Sequence, residues 1–500
     1  MGTHARCVAL IALVSALPGA AADQESCHKL YRLTDISHAI EPGISVAATD
    51  ALPAHCRVRG VVNRAIRFEV TLPDDWNGRL MFTAVGGNAG YIGDTTSLLA
   101  RGFAMASTDT GHEIEDGNDF LGQPEARLDH AYRGVHLATL ASKRVIAHYY
   151  GRNLDRSYLK GCSNGGRAAL IAAERFPEDY DGVIAGAPVF RLQEFQPWIL
   201  AVHELHEAHP LTKEAFIVLD EASRTACDAM DGVEDGVIND PRICDVDVDA
   251  LVCQEGQTRG CLTAGQAETA RFIYGDMVDA DGNVLSPGVP PGAESQGDWG
   301  SWLLGGEVVP GGLGKMIRGN LAKHMRHDPT FDAAQFDPAR DHARIGDALA
   351  AYDSTADLKE FRARGGKILM YQGWNDFPLR AGRAFDYLAA VEAGAGGPEQ
   401  AAEFFRLFMV PGMLHCSGGP GPWQADYVDP IVQWTEQGVA PERIVASHPG
   451  EAIALPHLNP SRPPEPSRAF TRPLCVYPKL GLYRGEGDPD DESSFRCAVP

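Results

Sequence analysis

Gly161-Cys162-Ser163-Asn164-Gly165 sets a serine among small residues in the one G-x-S-x-G pattern of the chain. In such a pentapeptide a sharp strand-to-helix turn lifts the hydroxyl over the end of a sheet. The small flanking residues let the backbone turn and let helix and strand approach. The chemistry this suits is nucleophilic attack on an acyl carbon. The N–H after the serine and the N-terminus of the following helix would face the oxygen that becomes negative. A glycine-rich packing turn is the competing reading of the pentapeptide alone. A serine nucleophile also needs a base and an acid that orients the base. Asp376, in Gln372-Gly373-Trp374-Asn375-Asp376, directly follows an apolar run, and so does His415, in Pro411-Gly412-Met413-Leu414-His415-Cys416. The chain holds 17 histidines, so residue type alone does not single out His415. Position does, because open α/β sheets bind ligands beyond the C-terminal ends of their strands.

These residues need a sheet to carry them. Residues 66–72 alternate with period two, and residues 79–85 form a more continuous apolar run, as a strand buried on both faces should. Residues 103–107, 158–160, 183–185, 367–371 and 404–410 read as further strands. Residues 128–150, 167–176, 381–391 and 429–436 read as helices. The alternation predicts an α/β fold with a mainly parallel sheet and flanking helices, and the serine elbow set between its strand and helix makes that an expected α/β-hydrolase core. Between residues 190 and 341 the pattern changes to short helical pieces, cysteine pairs, Asp-Gly turns and a Pro-rich loop, which predicts an inserted lid domain. The expected organisation is a leader at 1–22, core at 23–189, lid at 190–341, and the rest of the core with a Pro-rich C-terminal tail at 342–500.

The formal net charge is −23, from 67 acidic against 44 basic residues. That balance argues against nucleic acid and against anionic membranes as partners, since both require a basic surface. Residues 7–17 are apolar but too short to span a bilayer, and Pro18-Gly19-Ala20-Ala21-Ala22 follows with small residues. This reads as a signal peptide cut near Ala22, so the mature protein is expected to be secreted or periplasmic. Of 11 cysteines, Cys7 leaves with the leader, and an even number in an exported chain suggests disulfides. Eight fall into near-neighbour pairs: Cys27 with Cys56, Cys227 with Cys244, Cys253 with Cys261, Cys475 with Cys497. Cys162 and Cys416 stand beside Ser163 and His415. A bond between those two would tie nucleophile to base, whereas local pairing of each elsewhere is the alternative.

With these residues in view, the chain resembles the tannase and feruloyl esterase family. The matching text is Gly161-Cys162-Ser163-Asn164-Gly165-Gly166-Arg167, then Gly373-Trp374-Asn375-Asp376, then Pro411 to Cys416, with Arg472-Pro473-Leu474-Cys475 near the C-terminus. The resemblance implies a serine carboxylic-ester hydrolase with Ser163, His415 and Asp376 as its triad. It also implies the Cys162–Cys416 disulfide and a small aromatic ester as substrate, with no organic cofactor. It places a Gly-rich loop opposite the serine, so Gly87 and Asn164 are the expected oxyanion donors. Asn88 and Ala89 depart from the glycines common there. A terephthalate monoester hydrolase is the alternative within the family, and a calcium-stabilised binding protein without turnover is the alternative outside enzymes.

The stretch from Cys227 to Asp240 concentrates carboxylates among glycine turns, a chemistry that suits calcium. An EF-hand is excluded because Met230 would stand at its third position, and a solvated acidic loop is the other reading. The resemblance implies a structural calcium held by Asp228, Asp231 and Asp235 through side chains and by Val233 and Val237 through carbonyls. His203, His206 and His209 recur every three residues, where a zinc helix needs a spacing of four. They are read as lining a helix surface. Asp279 to Asn283 imitates a calcium loop start, but a hairpin turn is the better reading.

Overall fold

The computed structural model describes residues 24–279, 281–450, 453, 455–462 and 468–500. The expected leader at 1–22 lies outside the described residues. Eight strands come first: β1 (His38–Ile40), β2 (Ile44–Val46), β3 (His55–Val62), β4 (Ile66–Pro73), β5 (Arg79–Ala84), β6 (Ala104–Thr108), β7 (Arg156–Cys162) and β8 (Gly182–Gly186). A short hairpin, β9 (Met277–Val278) with β10 (Val284–Ser286), lies in the inserted region, and β11 (Lys367–Gly373) and β12 (Phe405–Val410) return to the main sheet. That sheet has ten strands in the order β1-β3-β4-β6-β5-β7-β8-β11-β12, with β2 also on β3. Pairing is antiparallel from β1 to the β4–β6 contact and parallel from β6 through β12.

The parallel strands are apolar on both faces because helices or strands cover both. Phe82, Leu159, Val183, Ile368 and Leu407 point to one side, where Ala138, Ala141 and Val145 of the helix Gly134–Tyr150 and Ala169 and Leu170 of the helix Asn164–Arg175 pack on them. Their neighbours Met81, Tyr158, Ile184, Leu369 and Phe408 point to the other, against Ile431 and Trp434 of the helix Val428–Gln437. The period of two along each strand is thus directly visible in the core.

Between β8 and β11 run the helices Leu192–Ala208, Lys213–Cys227, Ala264–Tyr274 and Leu313–His324. They bury their own cluster, with Trp198, Phe216, Leu219, Ile273, Trp299 and Leu321 at its centre. Phe377 and Tyr352 join that cluster and make it continuous with the loops above the sheet. Asp279 and Asn283 close the β9–β10 hairpin through backbone hydrogen bonds, as the turn reading expects. The C-terminal region is more ordered than a Pro-rich tail: Arg443–His448 pairs with Phe470–Cys475, and Leu480–Tyr483 with Phe495–Ala498.

Candidate active site

Ser163 sits at the turn between β7 and the helix Asn164–Arg175 with φ 62° and ψ −125°. A non-glycine residue pays for that conformation only where the surroundings hold it. Its N–H donates to Gly186 O at 2.9 Å. The glycines around it are required by proximity. A Cβ on Gly161 would lie 2.4 Å from Gly165 O, one on Gly165 2.4 Å from Ala84 O, and one on Gly166 2.3 Å from Gly186 O. Strand and helix therefore meet at backbone distance, and the hydroxyl projects from between them.

Asp376 follows β11 and His415 follows β12, which lie side by side in the sheet. The two loops are laced together: Trp374 N–H donates to Val410 O at 3.0 Å and Asn375 N–H to Met413 O at 3.1 Å. His415 Nδ1 donates to Asp376 Oδ2 at 2.9 Å, and Ser163 Oγ donates to His415 Nε2 at 2.9 Å. A carboxylate only accepts, so the ring proton belongs on Nδ1 and the Nε2 lone pair faces the serine. Asp376 is fully buried and also accepts from Leu379 N–H at 2.8 Å and Gln372 Nε2 at 3.1 Å. The bridge between Cys162 and Cys416 is present, with Cα atoms 6.0 Å apart, and the four near-neighbour pairs are also bonded.

A further carboxylate comes from the inserted region. Asp298 Oδ2 accepts from His415 N–H at 2.8 Å and from Phe377 N–H at 3.3 Å, so one side chain holds both loops of the relay. Burial, then the charge of Asp376, pushes Asp298 up to about 7. Burial alone would lower the His415 pKa, but the charge and hydrogen bond of Asp376, followed by the charge of Asp298, outweigh it and raise the ring above its ordinary value. Trp302, also from the inserted region, turns its indole edge-on to His415 at 5.5 Å. Nothing in the local sequence marks Asp298 among 67 acidic residues. Its role depends on a fold contact across 117 positions.

The Gly86–Gly90 loop lies beside the nucleophile: a Cβ on Gly86 would come 3.6 Å from Ser163 Cβ. Gly87 is exposed with φ 59°, and Ala89 N–H closes the turn on Gly86 O at 3.1 Å. Among the described residues neither the Gly87 N–H nor the Asn164 N–H has a protein acceptor. His203 and His206 line a small cavity with Trp302 and Phe377.

The acidic loop is folded on itself. Asp228 accepts from Gly236 N–H at 2.9 Å, Asp231 from Val233 N–H at 3.0 Å and Asp235 from Val237 N–H at 3.0 Å, while Arg472 pairs with Asp235. Burial, with the charges of Asp235 and Asp228 behind it, pushes Asp231 up to about 7. The oxygen donors fit calcium in kind. Among the described residues, however, no three His, Cys, Asp or Glu side chains are gathered closely enough to hold a metal ion.

A mainly parallel sheet, a serine at its strand-to-helix elbow and a Ser–His–Asp relay over the strand ends define an α/β-hydrolase. The chain belongs to the tannase and feruloyl esterase family, whose model matches residues 52–498. It is 32% identical to the mono(2-hydroxyethyl) terephthalate hydrolase of Piscinibacter sakaiensis, covering 91% of this chain and 87% of that protein. It is 30% identical to a probable feruloyl esterase B-1 of Aspergillus flavus, covering 88% of this chain and 86% of that protein. Among solved structures, feruloyl esterase B from Aspergillus oryzae superposes with a TM-score of 0.80 at 26% identity, over 95% of this chain and all of that one. This protein is accordingly a carboxylic-ester hydrolase with a small-molecule ester as substrate. Among the described residues no helix is long and apolar enough to cross a membrane.

Proposed function

We propose that this chain is an exported serine esterase that hydrolyses esters of hydroxycinnamic or hydroxybenzoic acids through an acyl-enzyme. The observation that carries this reading is the unbroken relay from Asp376 through His415 to Ser163, with 2.9 Å at each step. In it His415 Nε2 takes the Ser163 proton as Oγ attacks the ester carbonyl. The carbonyl oxygen, now negative, is received by the Gly87 and Asn164 N–H groups. His415 then returns the proton to the departing alcohol, and water repeats the sequence on the acyl-enzyme. Asp376 keeps the ring in the Nδ1–H form and stabilises it while it is charged. The intact relay speaks against a binding protein without turnover.

Export is supported by the pairing of all ten cysteines beyond the first 22 residues, which requires an oxidising compartment. A structural calcium is the second part of the reading. Asp228, Asp231 and Asp235 with the Val233 and Val237 carbonyls would hold it, and it would offset the repulsion that Asp228 and Asp235 exert on the buried Asp231.

The test is hydrolysis of methyl ferulate, methyl gallate and mono(2-hydroxyethyl) terephthalate by the purified protein. A higher kcat/KM for a ferulate or gallate ester is expected. Preference for the terephthalate monoester would support the second reading, which the similarity to the Piscinibacter enzyme favours. A folded protein that turns over none of the three sinks both.

A further inference from the structure

A buried histidine that the relay does not use lies behind the expected oxyanion donors. His130 sits on a wide, π-helical turn, Asp129–Arg133, immediately before the helix Gly134–Tyr150. Such widened turns move a side chain out of helical register and recur at functional sites. The turn aims the His130 ring at the residue after the nucleophile. Asn164 Nδ2 lies 2.9 Å from His130 Nε2, and Arg167 Nε donates to Asn164 Oδ1.

The chemistry of these groups fixes every proton. Arginine only donates, so the oxygen of the Asn164 amide must face it and the amide nitrogen must face His130. His130 Nε2 therefore accepts, and its proton is on Nδ1. On that side stands the Tyr352 hydroxyl, 3.4 Å away, whose own proton goes to Arg127 O. The Arg167 guanidinium holds the turn from below by donating to Ala131 O at 2.6 Å and His130 O at 3.1 Å. His112, edge-on to His130 at 5.6 Å, donates to Asn88 O at 2.6 Å. His112 thus grips one carbonyl of the loop opposite Ser163 while its ring packs on His130. The Asn88 carbonyl shares its peptide with the Ala89 N–H, which donates to Gly86 O at 3.1 Å, and Gly86 O shares its peptide with the Gly87 N–H, so the His112 bond orients the Gly87 donor.

We propose that His130 is the positioning residue of the oxyanion hole, joining the Asn164 side chain, through its packing on His112, to the Gly87 loop so that donors on two separate segments keep one spacing. His112 carries the link to the loop through the Asn88 carbonyl. The link requires a neutral ring, since a proton on Nε2 would face the Asn164 amide hydrogens. Burial, followed by the charges of Arg167, His112 and His324, holds His130 well below its ordinary value and so keeps the ring neutral. Donors that are preorganised stabilise the oxyanion and not the bound ester, so loosening them should lower kcat more than it raises KM.

This inference rests on the serine-esterase reading, and p-nitrophenyl acetate serves as substrate because its turnover needs the relay but no particular acyl group. His130→Ala, His130→Gln and Asn164→Ala are compared with wild type and with Ser163→Ala for kcat, KM, melting temperature and inhibition by phenylboronic acid, which forms a tetrahedral adduct on the serine. For His130→Ala, kcat should fall on the order of 10- to 100-fold, with KM changed less than about 3-fold and boronate affinity falling with kcat. His130→Gln, which keeps one donor and one acceptor, should recover much of the loss. Asn164→Ala, which retains its backbone N–H, should lose less than His130→Ala in the same direction and covers the case in which His130→Ala does not fold. Folded variants with unchanged kcat and boronate affinity, or a loss confined to KM, would overturn the proposal. Wild type that fails on the acetate ester but folds would instead refute the esterase reading.

Discussion

At the scale of single residues, the outcome at Ser163 is the sharpest. Its side chain is a small hydroxyl at a turn, so Ser163→Ala should leave the melting temperature nearly unchanged while lowering kcat by about 10⁴-fold or more. Activity close to wild type would remove the serine from the mechanism. Asp298 gives a prediction of a different kind, read in pH. His415 must be neutral to accept the serine proton, so kcat/KM falls as pH drops through the His415 pKa. The charges of Asp376 and Asp298 favour the protonated ring and hold that pKa above 6.5. The acid limb of kcat/KM should therefore lie above 6.5 in wild type. Asp298→Asn removes one negative charge while an amide oxygen can still accept from the His415 and Phe377 N–H groups. Its acid limb should move to lower pH. A limb that stays in place would reduce Asp298 to a backbone clamp.

At the scale of elements, the relay depends on three loops, after β7, β11 and β12, with β8 between the first two strands. β7 and β8 bring the serine turn beside β11 and β12, and the bridge from Cys162 to Cys416 binds the serine turn to the histidine loop across 254 positions. In the chain-entropy description, closing so long a loop stabilises the fold by about 5 kcal/mol. The bond also spans the distance that matters for proton transfer, where a shift of ~1 Å can lower the rate by ~100-fold. A Cys162→Ala/Cys416→Ala double variant should lose most activity even at temperatures where it stays folded. The Cys253→Ala/Cys261→Ala variant, whose bridge closes a separation of only 8, should keep it. Equal losses in the two variants, measured well below both melting temperatures, would deny the first bridge a catalytic role.

At the scale of the whole molecule, the inserted region does more than cover the sheet. Its aromatic cluster runs into Phe377 of the acid loop, its Asp298 holds both relay loops, and Asn375 Nδ2 donates back to Gly292 O at 2.7 Å. The acidic loop of the same region is stitched to the C-terminal strands: Arg472 pairs with Asp235, and Asn239 Nδ2 donates to Gly481 O at 3.1 Å. A cation bound there would stabilise the folded state by mass action. Chelation of the purified protein, or Asp231→Ala, should lower the melting temperature by several degrees with a smaller effect on kcat at temperatures where the protein is folded. Added calcium should restore the chelated wild type and not the variant. Protein free of bound calcium, whose melt ignores chelator, would leave the loop as a self-bonded acidic turn.

Much of this was legible without coordinates, because the parts that do chemistry are local. The elbow is five consecutive residues whose types suffice for the turn, and the acid and base follow apolar runs that can only be buried strands. Period and length placed β4 to β8, β11 and β12 and the helices that flank the sheet to within a few residues, whereas the inserted region, read as short helical pieces, holds the long helices Leu192–Ala208 and Lys213–Cys227. The edge strands β1, β2 and β3 and the C-terminal strands carry weaker patterns, since each is decided by the strand it meets. Asp298, His112 and His130 were not legible at all. Each acts through one or two hydrogen bonds to groups far away in sequence, and no local pattern distinguishes such a residue from an ordinary polar one. The sequence by itself determined which residues could react and which elements hold them. Only the tertiary structure decided what holds the reacting groups in place, because burial in a shared interior makes a lone carboxylate or imidazole a fixed strut and that interior exists only once the inserted region has closed on the sheet.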